Sequence, residues 1–213
     1  MKYYSDYFTY TLVSIGILLA SVGVLYQYSY WWDELFSVTG ASLNIQEMFS
    51  ALIFNDVHPP LYSVLLNIWV DLFGSSEQAT RLLSFICSVF ALLVLWFWSK
   101  KELRKEGFQA VVIFFSTCWL FAYYAQETRS YAMMTFLASL LTVLYIDGWY
   151  AERGVKAFTF FFAAISLSLT HYIGFVYCGL ILIFSLYEVK GDAKKAGYVI
   201  LSGLSCFIWP SFH

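Results

Sequence analysis

Two adjacent carboxylates, Asp33 and Glu34, follow a tryptophan pair just beyond an uncharged stretch running from Phe8 to Tyr28. Further on, Asn55-Asp56-Val57-His58-Pro59-Pro60-Leu61-Tyr62 sets an acid and an imidazole ahead of a double proline, and Glu127, Arg129 and Tyr131 gather between two more apolar runs. Apolar packing accounts for none of these groups, and their types suit chemistry at a membrane surface. A carboxylate can take a proton as a general base, and a neighbouring carboxylate raises one of the two pKa values. Arginine grips a phosphate with two parallel N–H groups, and an ionisable residue at membrane depth is by default a functional candidate. Each group also has a plainer reading. Asp33 and Glu34 could be solvated loop acids, Asp56 and His58 could cap the helix that the prolines begin, and Glu127 and Arg129 could pair with Arg81 or Glu77. Arg81 could also be a snorkelling anchor.

The elements that must position these groups are membrane helices. With 61% hydrophobic, 22% aromatic and 12% charged residues and a mean hydropathy of +0.69, the composition is that of an integral membrane protein. A net charge of −2 with short basic clusters gives no face for nucleic acid. The four cysteines fall inside apolar segments without CxxC spacing and read as small buried hydrophobes. A bilayer core of ~30 Å takes about 20 apolar residues, and uncharged runs occur at Phe8–Tyr28, Leu82–Ser99, Phe108–Gln126, Ser130–Ile146, Ala157–Tyr187 and Ala196–His213. The fifth is too long for one crossing and carries basic flanks at both ends. It is therefore split into two short helices turning near His171-Tyr172-Ile173-Gly174, giving about seven spans.

With the N-terminus inside, Lys2, Lys100, Lys101, Arg104, Lys105, Arg153, Lys156, Lys190, Lys194 and Lys195 are cytoplasmic. Arg81 and Arg129 alone fall outside, together with Asp33, Glu34, Asp56, His58, Glu127 and His171, as the positive-inside rule favours. The first span is read as a retained signal-anchor, because no small-residue cleavage site precedes Tyr26. The outer segment 29–80 should hold two interfacial amphipathic helices. One carries Ile45, Met48, Phe49, Leu52 and Ile53 behind an Asn44/Glu47 capping box. The other runs from Leu61 to Phe73 between Pro60 and Gly74 with a polar stripe of Ser63, Asn67 and Asp71.

In this order and on this side of the membrane, several motifs resemble the C-type glycosyltransferases of the protein O-mannosyltransferase and aminoarabinose transferase superfamily. They are the Asp33-Glu34 pair, His58-Pro59-Pro60-Leu61-Tyr62, Phe73-Gly74-Ser75-Ser76-Glu77 with Arg81-Leu82-Leu83-Ser84, Tyr124 to Tyr131, His171-Tyr172 and Trp209-Pro210. The resemblance covers essentially the whole chain. It implies a multi-pass, all-α enzyme that moves a sugar, with inversion, from a polyprenyl-phosphate donor to a protein, lipid or glycan acceptor outside the cell membrane. Asp33 would be the base with Glu34 tuning it. Arg129, His58 and Arg81 would hold the donor phosphate, and Asp56, Glu127, Tyr131, Tyr62 and His171 the substrates.

No cofactor is expected; a divalent cation on Asp56, His58 and His171 is the alternative that imidazole and carboxylate chemistry allows. Residues 1–213 read as one transmembrane glycosyltransferase-like unit. Because family members usually continue beyond the point where His213 stands, the chain is expected to be the N-terminal portion of a longer enzyme. The rival functions are a transporter or flippase subunit for lipid-linked sugars, for which no inverted repeat is visible, and an inactive truncated relative.

Overall fold

A computed structural model describes residues 2–26, 29–55 and 58–207. Among these residues there are eleven α-helices and no strand. They are α1 (Lys2–Leu25), α2 (Trp32–Ala41), α3 (Ile45–Asn55), α4 (Leu61–Phe73), α5 (Glu77–Glu102), α6 (Lys105–Thr117), α7 (Trp119–Tyr124), α8 (Tyr131–Ile146), α9 (Val155–Ser168), α10 (Tyr172–Glu188) and α11 (Ala193–Cys206), with a 3-10 turn at Trp149–Ala151.

The largest apolar core joins α4, α5, α8, α9, α10 and α11. Leu66, Leu141, Phe160, Ala164, Leu167 and Cys178 are wholly enclosed there. The outward side of the same bundle is also apolar, with Phe97, Phe158, Ile183 and Leu201 well exposed. Water would penalise such a surface and lipid would not. Helix α5 is the one described helix long and apolar enough to cross a bilayer alone; α8, α9, α10 and stretches of α1 and α4 are apolar but shorter.

Local signals set several boundaries. Helix α4 runs from Leu61 to Phe73, between Pro60 and Gly74, whose φ of 87° suits a residue without Cβ. The Asn44 side chain accepts the Glu47 N–H at 3.0 Å ahead of α3. The long apolar run divides into α9 and α10 between Leu169 and His171. Gly174 is not part of that turn: it lies inside α10, where an added Cβ would come within 2.7 Å of the Leu167 carbonyl oxygen, so its role is close helix approach.

Two expectations need correction. The outer segment contains three helices rather than two, because residues 32–41 form α2, and Asp33 and Glu34 stand in its first turn. Two acids near a helix N-terminus are favoured by the exposed N–H groups, whereas Val38, Thr39 and Gly40 weaken helix propensity and hide the element from a pattern reading. The third apolar run is also broken: Cys118 adopts an extended conformation (φ −64°, ψ 121°) and divides α6 from α7.

Candidate active site

Helix α2 is held in place by α4. The Asn67 amide donates to the carbonyl oxygens of Ala41 (2.7 Å), the last residue of α2, and Leu43 (3.0 Å), just beyond it, so one orphan acceptor of the helix and one of the following turn are satisfied. The polar stripe of α4 therefore turns inward at Asn67, which is buried, while Asp71 remains exposed. On the other side, the Trp69 indole donates to the Ala79 carbonyl at 2.7 Å and ties α4 to the start of α5.

At the N-terminal end of α2 the two acids diverge. Glu34 is 1% exposed and receives both Nε (2.9 Å) and Nη2 (2.7 Å) of Arg81. It also accepts the Thr128 backbone N–H at 2.8 Å, so one carboxylate joins α2, α5 and the turn between α7 and α8. Around this fork, Thr80 bonds Thr128 (2.9 Å) and Tyr30 (2.8 Å), and the Arg81 guanidinium lies over the Tyr30 ring at 5.6 Å. A buried bidentate pair that also takes a third N–H from another element has the form of a structural clamp.

Asp33 points elsewhere. Its side chain is 49% exposed, with Oδ2 3.8 Å from Nη2 of Arg129. Arg129 is held by its own donors, Nη1 reaching the Asp33 carbonyl at 3.2 Å and the Ser37 hydroxyl at 3.1 Å. Its Nε is buried without a hydrogen-bond partner. A buried guanidinium N–H that is left unbonded carries a desolvation cost, and an anion arriving beside it would relieve that cost.

Arg129 also closes a cavity of about 40 Å³ whose wall includes Ser37, His58, Tyr62, Ser130 and Thr170. Burial pushes the Tyr62 phenol up. The Ser84 hydroxyl facing it opposes that rise, yet the pair misses hydrogen-bond geometry and both hydroxyls are without a partner. His171 caps α10 by accepting the Ile173 N–H on Nδ1 at 3.1 Å, which places the proton of its neutral form on Nε2. Burial, followed by His58 and Arg129, holds the His171 pKa below the usual imidazole value. Its ring stands 5.4 Å from His58 and 5.4 Å from Tyr131.

The structure thus gathers Arg129, His58 and Tyr62 at one cavity, pairs Asp33 with Arg129 at its edge-forming guanidinium, and sets His171 between His58 and Tyr131. Glu34, Arg81 and Glu127 line a second pocket. Burial, followed by the charges of Glu34 and Asp33, raises the Glu127 pKa against the opposing effects of Tyr123 and Arg129. Asp56 lies outside the described residues. Among the described residues, no group of three or more His, Cys, Asp or Glu is arranged to hold a metal ion. Pattern reasoning missed Ser37, Thr128, Ser130 and Thr170. Ser37 was detectable in principle, four residues after Asp33 on one helix face.

Residues 57–210 match the family profile of dolichyl-phosphate-mannose-protein mannosyltransferases. The chain belongs to this family. Its members are membrane glycosyltransferases of the mannosyltransferase type, and the apolar helices of this chain fit that class. The matched stretch carries His58, Tyr62, Arg81, Glu127, Arg129, Tyr131 and His171, while Asp33, Glu34 and Asp56 precede it. No curated protein and no solved structure matches the chain.

Proposed function

We propose that this mannosyltransferase-family chain transfers one sugar from a polyprenyl-phosphate donor to an acceptor hydroxyl on the extracytoplasmic side of the cell membrane, with inversion at the anomeric carbon. Asp33 takes the acceptor proton, and Arg129 holds the phosphate and neutralises its growing charge as the glycosidic oxygen leaves. The observation that carries this reading is the pairing of a half-exposed carboxylate with a buried arginine at 3.8 Å, the arginine keeping one N–H unbonded beside a small cavity. A base and a phosphate ligand belonging to one site can flank a single anomeric carbon, one serving the acceptor and the other the leaving oxygen.

Glu34 and Arg81 act as positioning residues in this scheme. Their bidentate pair saturates the Arg81 fork, so Arg81 supports the turn carrying Arg129 rather than gripping phosphate itself. His58 and Tyr62 complete the phosphate cavity, and His171 and Tyr131 support His58. Residues 1–213 act as one unit of about seven spans, α9 and α10 forming a short re-crossing pair. Cysteine labels at Ser42 and Ser76 should react from outside and one at Gly107 only after permeabilisation; Ser76 and Gly107 on the same side would overturn this topology.

The chemistry is tested in reconstituted membranes with a radiolabelled polyprenyl-phosphate sugar. Asp33→Asn keeps the shape and removes the proton acceptor, and turnover should fall roughly 10²–10⁴-fold with donor affinity nearly unchanged. Arg129→Ala should weaken donor affinity as well as turnover, since a phosphate contact exists in both ground and transition states. Transfer at the wild-type rate by Asp33→Asn would remove Asp33 from the mechanism.

A further inference from the structure

The turn between α7 and α8 presents Glu127 and Arg129 to two different pockets. Arg129 borders the 40 Å³ cavity. Glu127 lines a larger one of about 270 Å³ together with Ser29, Trp31, Glu34, Arg81 and Tyr123. The two pockets share no lining residue, but both draw on the start of α2: Trp31 and Glu34 face one, Phe36 and Ser37 the other. Asp33 stands on the same turn of α2, its half-exposed carboxylate 3.8 Å from Arg129 and near enough to Glu127 for its charge to raise the Glu127 pKa.

An inverting displacement needs the acceptor oxygen and the departing phosphate oxygen on opposite faces of one anomeric carbon, with the base on the acceptor's side. If the phosphate occupies the Arg129 cavity, the acceptor belongs to the pocket beyond Asp33. Its walls describe the acceptor. Arg81 cancels the charge of Glu34, and Glu127, 6% exposed, remains as the acid with no bidentate cation. Such a wall repels an anionic ligand and accepts hydrogen bonds from hydroxyls. Trp31 is 46% exposed and Tyr123 40% exposed, so both rings can be covered by a ligand. An apolar ring face beside carboxylate and hydroxyl groups matches a pyranose, which has a C–H face and a rim of hydroxyls. The volume lies near the lower limit of small-molecule pockets, which suits one ring and is too short for an extended peptide.

We propose that the Trp31–Tyr123–Glu127 pocket binds the acceptor, and that the acceptor is a neutral saccharide engaged one sugar unit at a time. This rests on the assignment of Asp33 and Arg129 above, and the test separates the two. Saturation-transfer NMR on the chain in lipid nanodiscs, with methyl α-mannopyranoside and methyl β-glucopyranoside as probes, reads saccharide binding without turnover. At least one probe should receive saturation from the wild type. The signal should fall about fivefold in Trp31→Ala, which removes one aromatic face, fall similarly in Glu127→Gln, and persist in Arg129→Ala. A blocked serine- and threonine-containing peptide should give no signal.

Transfer to neither glycoside, an unchanged signal in Trp31→Ala, or peptide binding that is lost in Trp31→Ala would each overturn the proposal. Loss of turnover in Asp33→Asn combined with an unchanged saccharide signal in Trp31→Ala would sink the acceptor pocket alone. A signal that depends on Trp31 alongside wild-type transfer by Asp33→Asn would sink the base assignment and leave the pocket standing.

Discussion

The apolar bundle and the outer layer that rests on it are stabilised by opposite means. In the bundle, α5, α8, α9, α10 and α11 meet through Leu141, Phe160, Ala164 and Leu167, and contacts of this kind depend on shape alone. In the layer formed by α2, α3, α4 and the 127–130 turn, α3 is seated by Met48 and Leu52, but the ties that fix α2 are directional. Glu34 takes three N–H groups from residues 47 and 94 positions away, and Asn67 holds the end of α2 through two carbonyls. Interchangeable apolar contacts tolerate relaxation, whereas a buried ion pair tolerates no missing partner. The outer layer can therefore hold Asp33 and Arg129 in fixed relation, a task for which apolar packing is poorly specific.

Removing one partner of the clamp should break that contrast most strongly. Arg81→Leu leaves Glu34 buried and uncompensated and should cost about 3–5 kcal/mol, read as a lowered unfolding midpoint in detergent. The paired replacement Glu34→Met with Arg81→Leu should recover most of that loss while transfer stays impaired, because the turn bearing Arg129 loses its anchor. Full activity in the double variant would show that the clamp does not position the site.

A bundle substitution should give the mirror result. Phe160→Ala opens a cavity at a fully enclosed position and should destabilise by about 3–5 kcal/mol, with turnover per folded molecule close to wild type. A selective loss of turnover would mean that the two regions are mechanically coupled.

The smallest effect concerns pH. Burial and the nearby acids hold Glu127 above the ordinary carboxylate range, so the folded state binds its proton more tightly than the unfolded chain does. That share of stability is complete below the unfolded pKa and is lost as pH rises through the folded one. Glu127→Gln does not titrate, so it should equal or exceed the wild type in stability at neutral pH, with the advantage shrinking on acidification. A pH-independent difference between the two unfolding curves would show that Glu127 carries no such penalty.

Much of the architecture was legible because its causes are local. Pro60 and Gly74 bound α4, Asn44 caps α3, and the basic flanks of the long apolar run called for a division that occurs at residues 169–171. The candidate groups were legible by residue type: Asp33, His58, Tyr62 and Arg129 carry groups with no apolar reason to be there; His58, Tyr62 and Arg129 line one cavity, and Asp33 pairs with Arg129. The helical state of residues 32–41 and the break at Cys118 were not legible, since weak local propensities were overruled by neighbours distant in the chain.

Amino-acid order alone determined an all-helical, apolar chain, the ends of its best-punctuated helices and the short list of groups able to act on a proton or a phosphate. Only the tertiary structure decided how those groups are shared out. Glu34 and Asp33 are chemically near-equivalent neighbours, yet one is buried against Arg81 and Thr128 while the other stays half-exposed beside Arg129. The physical reason is helical geometry: successive residues on α2 point about 100° apart, so one carboxylate turns toward the clamp and the next toward the cavity. Which is which depends on partners 47 to 96 positions away, a distance over which no local pattern carries information.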